Sequence, residues 1–389
     1  MSTSPDILDA ALAIGSDTSL SKLRQSRAKA AVATQGCYDD LLGPGVSDDQ
    51  GLELADRLLV AFDISRAAGV QALIDHYAQR LVALPLSASQ QAAVATVDAI
   101  SGDARLDAIL RFSRGVAQQP YTTGQPAVQA LTAVGLLPQD IVTLGQLVGF
   151  VAYQVRLAAG LQALRDVLDS EQGAGATAAS EHDPAFVHPA NLPGPGEPIR
   201  ANGFTSETLN WKAWLPVVDV EHATQAQHEV LTASHPKART SEFYLLLAHQ
   251  PGILAVRSAA FNAIMYAPGG LARADREVVT TIVSRINRCV YCASVHAQRY
   301  EQLTKQNAFI LQVFEAPEMA GGTARERALV SATIALTAMP GSFDSAALKP
   351  LRDAGLSDIE MLDALHAGAL FAWANRLMLN LGEAVYSVA

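Results

Sequence analysis

Two cysteines and a histidine stand close together in the segment Cys289-Val-Tyr-Cys-Ala-Ser-Val-His296. Cys289 and Cys292 are three residues apart, and His296 follows the second cysteine by four residues. On a helix these spacings place the three side chains on one face, with about 5 Å between the Cα atoms of the two cysteines, which a disulfide can span. The segment can therefore be a redox pair with a nearby base, part of a metal site, or two buried thiols and a core histidine.

The residues just before the segment predict how it is positioned. Asn287 is of a type that caps helices, and we expect it to be the N-cap of a helix whose first turn holds both cysteines. Unpaired N–H groups and the helix dipole favour a thiolate there, so the pKa of both thiols should be lowered. His296 can then reach the sulfur of Cys292 as a proton acceptor. Glu277, on the preceding helix, can orient His296 or share its proton.

An internal repeat allows the segment to be compared with a second copy of itself. Residues 51–80 and 270–299 are identical at 11 of 30 positions without a gap, at an offset of 219 residues. At an offset of 220 the similarity continues, for example between Arg156-Leu157 and Arg376-Leu377. This spacing is typical of a tandem duplication.

The first repeat lacks the four side chains that could do chemistry. Apolar or aromatic residues stand at their places: Leu58 for Glu277, Val70 for Cys289, Leu73 for Cys292 and Tyr77 for His296. The flanking residues are shared by the two repeats, so the polar side chains are not needed to build the helices. The comparison favours a functional site over buried core residues.

The wider pattern resembles a known signature. Glu277-x11-Cys289-x2-Cys292-x3-His296, within ADREVVTTIVSRINRCVYCASVHAQRY, is similar to that of the alkyl hydroperoxidase D and carboxymuconolactone decarboxylase superfamily, in particular its peroxidase-related branch. The stretches FTSETLNWKAWLPVVD and FAWANRLMLNLG also resemble that branch, so the likeness covers 200–389. It implies an all-helical fold, assembly into homo-oligomers, and thiol peroxidase activity that needs no bound cofactor.

The resemblance also implies a role for each residue. Cys292 would attack the peroxide oxygen and become a sulfenic acid, and Cys289 would resolve it to a disulfide. Glu277 and His296 would belong to the proton relay that activates the attacking thiol. The founding hydroperoxidases have a further histidine where this chain has Tyr291, so we expect a relay with one base fewer, in which Tyr291 could still donate a hydrogen bond.

The same resemblance implies the substrate and the electron source. The substrate would be hydrogen peroxide or an organic peroxide. Electrons would come from a dithiol donor such as a thioredoxin-like or lipoyl protein. Neither partner is identified by the sequence itself.

The repeat predicts the domain organisation as well. We expect a degenerate helical domain over 1–170, a linker rich in Gly, Ala and Pro over 171–199, and a helical domain with the CxxC site over 200–389. Apolar residues recur three and four apart along most of the chain, as in helices. The predicted fold class is all-α, a tandem duplication of an alkyl hydroperoxidase D-like domain. The leader of the second copy, 200–268, should add one or two helices.

Composition and charge narrow the function classes. The 389 residues carry a net charge of −10 and no basic stripe, which argues against a nucleic-acid partner. The most apolar stretch, 144–164, carries Gln146, Gln154 and Arg156, so we expect a buried helix and no membrane partner. The N-terminus lacks the features of a secretory signal, and three cysteines are too few for a disulfide framework. We therefore expect a cytoplasmic protein.

Three other functions remain open from the sequence. A zinc site would need a fourth ligand besides Cys289, Cys292 and His296, from His235 or His249. A carboxymuconolactone decarboxylase-like enzyme would need no cysteine pair. A non-catalytic redox sensor or scaffold would use a disulfide to change assembly, with the first domain retained for packing or partner binding.

Two arginines recur at equivalent places in the repeats. Arg156 and Arg376 each stand in an otherwise apolar helix. A buried guanidinium needs an acidic or carbonyl partner. We expect a structural salt bridge at each.

Overall fold

The computed structural model of the chain describes residues 6–46, 51–95, 101–170, 187 and 192–386, so most of the predicted linker lies outside the described residues. In the described part, the first half of the chain forms nine helices. They are α1 (Ile7–Ala11), α2 (Ser19–Gln25), α3 (Ala28–Leu42), α4 (Leu54–Ala68), α5 (Gln71–Val82), α6 (Ala88–Ala95), α7 (Ala104–Gln118), α8 (Gly124–Ala133) and α9 (Pro138–Ser170).

The second half is also helical, and the prediction of an all-α fold is confirmed. Its helices are α10 (Gln225–Ser234), α11 (Glu242–Leu247), α12 (Pro251–Met265), α13 (Arg273–Ile286), α14 (Val290–Thr304), α15 (Ala308–Glu315), α16 (Ala324–Ala338), α17 (Ser345–Asp353) and α18 (Asp358–Asn380). Within residues 192–386, two antiparallel strand pairs accompany them. They are β1 (Arg200–Ala201) with β2 (Phe204–Thr205), and β3 (Leu209–Ala213) with β4 (Gly382–Tyr386).

The leader of the second half differs from the expectation of one or two helices. It contains three, α10 to α12, together with strands β1 to β3. The final helix stops at Asn380 because the residues after it pair with β3 instead. The indole N–H of Trp211 on β3 donates to the carbonyl of Met378 at 2.9 Å, which ties the leader to the end of α18.

The helices of the two repeats follow in the same order. Helices α3, α4, α5, α7, α8 and α9 correspond in sequence order to α12, α13, α14, α16, α17 and α18. The long helices α9 and α18 pack against each other at the centre, and one hydrophobic core extends through both halves. A Cβ on Gly149 of α9 would overlap Cδ1 of Trp373 on α18, so glycine is required for this close approach. Helices α13 and α14, which carry the predicted site residues, both pack against α18.

Helix α9 contains the apolar stretch that the composition singled out. Among the described helices, it is the one long and apolar enough to cross a membrane, and its most apolar 18-residue window is entirely buried within the protein. The prediction of a buried helix over 144–164 is confirmed. Its buried polar members, Gln146, Gln154 and Arg156, have partners inside the protein, as Gln146 does by accepting a hydrogen bond from the indole of Trp373 at 3.0 Å.

Candidate active site

The cysteine segment begins at the turn between α13 and α14. Asn287 is the C-cap of α13, and Arg288 adopts a left-handed conformation with φ of 58° that turns the chain. The N–H of Cys289 then donates to the carbonyl of Ser284 at 2.8 Å, which closes the turn. The first repeat makes the same turn with Gly69, at φ of 72°, where a glycine meets no steric penalty.

The N-cap of α14 is Cys289, and the prediction that Asn287 would be the cap is wrong. Asn287 instead ends α13, and its side-chain amide donates to Oδ1 of the buried Asn375 at 3.0 Å. Cys292 nevertheless lies in the first turn of α14 as predicted. Val70 is the N-cap of α5 in the first repeat, so the same backbone position carries valine there.

Both thiols are buried, with Cys289 1% and Cys292 5% exposed, and they form no disulfide. They lie within hydrogen-bonding range of each other, and the main-chain N–H groups of Tyr291 and Cys292 approach the Cys289 sulfur. Burial nevertheless raises the pKa of Cys289 well above its usual range, which corrects the expectation of a lowered value for this thiol. Desolvation outweighs the helix N-terminus there. The raised pKa favours the neutral thiol form of Cys289, and Cys292 is the slightly more exposed of the two thiols.

Glu277 and His296 form a buried pair beside the thiols. Oε2 of Glu277 accepts a hydrogen bond from Nδ1 of His296 at 2.5 Å, and Oε1 accepts one from Nε of Arg273 at 2.6 Å. Burial alone would raise the pKa of the Glu277 carboxyl, but the charges of His296 and Arg273 outweigh it and lower the pKa. An ionised Glu277 keeps the proton on Nδ1 of His296, so Nε2 is the nitrogen that can accept a proton.

The ring of His296 is held by its surroundings. Phe371 on α18 contacts it edge-on, with 4.4 Å between ring centres. Its hydrogen bond in the described structure goes to Glu277, and none joins it to Cys292, so the approach of His296 to the Cys292 sulfur stays a prediction. The two residues share a helix face, but the imidazole is turned toward the carboxylate on α13.

Tyr291 lies between the two cysteines in sequence and is half-buried. Burial raises its pKa to about 12, and the neighbouring Cys292 adds to the rise. A phenol with such a pKa stays protonated at neutral pH. Tyr291 can therefore donate a hydrogen bond in this site but cannot serve as its base.

Arg257 on α12 is a site residue that the sequence patterns did not single out. It is 5% exposed, its Nε has no hydrogen-bond partner, and the described residues offer it no ion pair. Its guanidinium lies 5.4 Å from the ring centre of Phe243 and 5.6 Å from that of Trp373. Burial lowers its pKa, partly offset by neighbouring acidic groups that include Cys292. In the sequence, this site could have been found from one feature: Arg257 is the single charged residue in the apolar stretch GILAVRSAAF.

This placement predicts that Arg257 is not needed for stability. Arg257→Met should fold as the wild type does, because the described residues offer its guanidinium no ion pair to lose. The free energy of unfolding should stay equal or rise, since methionine fills the space without burying an unpaired charge.

Chemical denaturation followed by circular dichroism gives the free energy of unfolding of each variant. Arg257→Lys, which keeps the buried charge, is the matched control and should be no more stable than Arg257→Met. A loss of more than about 1 kcal/mol in Arg257→Met alone would contradict this expectation.

The residues proposed for a zinc site do not converge. Within the described residues, no group of three or more His, Cys, Asp or Glu side chains is arranged to hold a metal ion. His235 stacks on Tyr244 with 5.5 Å between ring centres, and Nε2 of His249 donates to the carbonyl of Pro216 at 2.8 Å. Neither histidine completes a tetrahedral set with the cysteine pair.

The segment that contains these residues is similar to a known protein family. Residues 251–335 match the sequence model of the carboxymuconolactone decarboxylase family, and this range contains all five predicted site residues. The resemblance seen in the sequence is confirmed for that segment. No curated protein matches the chain.

Two solved structures are similar to part of the chain. One is the alkylhydroperoxidase AhpD core, an uncharacterized peroxidase-related protein from Ralstonia eutropha JMP134, with 24% identity over 42% of this chain and 87% of its own, at a TM-score of 0.38. The other is an uncharacterized peroxidase-related protein from Silicibacter sp. TM1040, with 22% identity over 42% of this chain and 89% of its own, at a TM-score of 0.37.

Proposed function

We propose that this protein is a thiol-dependent, peroxidase-like oxidoreductase that reduces hydrogen peroxide or organic peroxides through Cys289 and Cys292. The observation that carries the proposal is the buried Glu277–His296 pair, joined at 2.5 Å, in a site whose two thiols lie at a helix N-terminus. A carboxylate, an imidazole and a thiol pair in apolar surroundings supply a proton relay and a nucleophile. The family match over 251–335 supports the same reading.

In the first step, the Cys292 thiolate attacks one oxygen of the peroxide. An S–O bond forms as the O–O bond breaks, and Cys292 becomes a sulfenic acid. The leaving oxygen takes a proton and departs as an alcohol, or as water from hydrogen peroxide. Nε2 of His296, with Nδ1 held by Glu277, would take the thiol proton through a bridging water and return it to the leaving group. Tyr291 would donate a hydrogen bond to that oxygen.

In the second step, the sulfur of Cys289 attacks the sulfenic acid. An S–S bond forms, the S–O bond breaks, and the hydroxyl leaves as water with the proton from Cys289. The two thiols have then given two electrons to the peroxide. A dithiol donor, of the thioredoxin-like or lipoyl kind, would restore both thiols by exchange and leave as a disulfide.

A redox sensor of the same fold is the second candidate. The observation in its favour is the burial of both thiols, since Cys289 and Cys292 expose only 1% and 5% of their surfaces. Closing the disulfide would then act mainly on packing around α14 and α18, and turnover would be slow. A decarboxylase-like reaction gains no comparable support, because it has no use for the cysteine pair.

A count of free thiols tests the proposal. One equivalent of peroxide should lower the thiols measured in denaturant from three per chain to one, since Cys289 and Cys292 pair and Cys37 remains. Dihydrolipoamide should restore the count to three, with one more peroxide consumed per cycle. In the matched control Cys37→Ser, the count should fall from two to zero. A count that stays at three while peroxide persists would sink the proposal.

We further propose a cytoplasmic location and a homo-oligomeric assembly. A reducing compartment suits a chain whose close cysteine pair must return to the thiol form after each cycle. Assembly into oligomers is what the resemblance to the superfamily implies. Size-exclusion chromatography of oxidised and reduced protein measures the assembly, and a size change between the two forms would favour the sensor function instead.

A further inference from the structure

A pair of buried arginines faces one pocket between the two halves of the chain. Arg156 on α9 and Arg376 on α18 hold equivalent places in the two repeats, and they are 7% and 2% exposed. Both line a pocket of about 530 Å³. The pocket lies where the ends of α7 and α16 meet the two long central helices, so each repeat contributes corresponding elements to it.

Each arginine is held by main-chain carbonyls from both repeats. Arg156 donates to the carbonyl of Ala152 on its own helix at 3.1 Å and to that of Thr337 at 2.6 Å. Arg376 donates to the carbonyl of Ala372 at 2.8 Å and, from its other terminal nitrogen, to that of Ala117 at 2.5 Å. Thr337 and Ala117 lie in the last turns of α16 and α7. The expected salt bridges are therefore wrong, and the carbonyl alternative holds.

These carbonyls leave positive charge uncompensated. Neither Arg156 nor Arg376 forms an ion pair with a described residue, the pocket lining contains no Asp or Glu, and Nε of each arginine has no hydrogen-bond partner. A helix C-terminus carries about half a negative charge, so two of them offset roughly one of the two guanidinium charges. Burial lowers the pKa of Arg156 to about 10. Burial also lowers the pKa of Arg376, and repulsion from Arg156 adds to the effect.

Two buried like charges that line one pocket favour the binding of an anion there. We propose that this pocket binds a small organic anion, with a carboxylate head at the two guanidiniums and an apolar body along the walls. Guanidinium groups recognise carboxylates through paired, charge-assisted hydrogen bonds. The volume falls within the range of small-molecule sites. The rest of the lining combines apolar side chains with a few polar ones: Ile64, Val155, Ile286, Gln118, Asn287 and Ser342.

The pocket contains neither thiol, since its lining extends to Asn287 but includes neither Cys289 nor Cys292. The arginines come one from each repeat, whereas all five residues of the thiol site belong to the second. A chain with Cys292→Ser should therefore bind the anion as the wild type does. The anion-binding proposal would therefore hold even if the peroxidase proposal failed. The peroxidase proposal would likewise hold if no anion were bound.

Calorimetric titration with octanoate at low salt tests the pocket. We expect one octanoate per chain, and at least about tenfold weaker binding in Arg156→Met and in Arg376→Met, because each loses a charge-assisted bond. Arg156→Lys and Arg376→Lys keep the charge without the planar fork and cover the case in which a methionine variant fails to fold. Arg165→Met, also on α9 but outside the pocket, should bind as the wild type does.

Neutral and inorganic probes distinguish the alternatives. Octanol should bind at least about tenfold more weakly than octanoate if the carboxylate is recognised. Equal binding of octanol, absence of octanoate binding, or undiminished binding in the arginine variants would overturn the proposal. Binding of inorganic phosphate without binding of octanoate would overturn the assignment to an organic carboxylate.

Discussion

Peroxide turnover supported by a dithiol is expected to fall by at least about 10³-fold, to the background rate, in Cys292→Ser. A serine hydroxyl does not ionise near neutral pH, and it cannot form a disulfide with Cys289. The substitution changes one buried atom in the first turn of α14, so the fold should be retained. The measurement is the initial rate of peroxide loss with dihydrolipoamide in excess.

The other two cysteines provide the controls for this variant. Cys37 is fully buried in α3, and burial raises the pKa of its thiol, so Cys37→Ser should turn over like the wild type. Cys289→Ser should react once and then stall, because the sulfenic acid has no resolving partner. If Cys292→Ser turned over as fast as the wild type, Cys292 would not be the thiol that reacts with peroxide.

Glu277→Gln is expected to lower turnover about 10²-fold, the lower range for loss of a general acid–base relay. The amide cannot hold a charged His296, and Arg273 loses its partner at 2.6 Å. Leaving the partner charges unpaired should also lower the free energy of unfolding by about 3 kcal/mol. Folding lowers the Glu277 pKa, so the wild type has this stability above the usual value of 4.5 and loses it as the pH falls. The variant should lack that part of the pH dependence.

A second buried carboxylate on α18 provides the matched control. Asp363 accepts hydrogen bonds from Arg276 at 2.8 Å and from Arg27 at 2.7 Å, and no hydrogen bond joins it to His296 in the described structure. Asp363→Asn should lose comparable stability but keep turnover within about twofold once both are measured on folded protein. Equal losses of turnover in Asp363→Asn and Glu277→Gln would mean that Glu277 acts only through stability.

The repeat was the most informative feature of the sequence for locating the site. Corresponding helices begin at Val70 and Cys289, and the same turn precedes both, so a gap-free comparison reports which side chains the fold itself requires. Periodic apolar residues were enough to predict the helices, because helix hydrogen bonds and helix faces are set by neighbours in sequence. Glu277 and His296 could be paired from spacing because they lie on consecutive helices.

Contacts between distant parts of the chain could not be predicted in this way. Leu209 on strand β3 pairs with Tyr386 on β4, which is distant in sequence, and no local sequence pattern predicts such a partner. Arg257 comes from α12, outside the motif, and its place between Phe243 and Trp373 depends on contacts between distant segments. Asn287 was misassigned because capping propensity describes one helix end, whereas here two helix ends share a turn.

The central claim is that Cys292 is the thiol that reacts with peroxide. It is tested most directly by treating Cys289→Ser with one equivalent of hydrogen peroxide in the presence of dimedone, which traps sulfenic acids. Peptide mapping should find one adduct per chain, on Cys292, and none on Cys37. Peroxide consumption without an adduct on Cys292, or an adduct on Cys37 instead, would contradict the account.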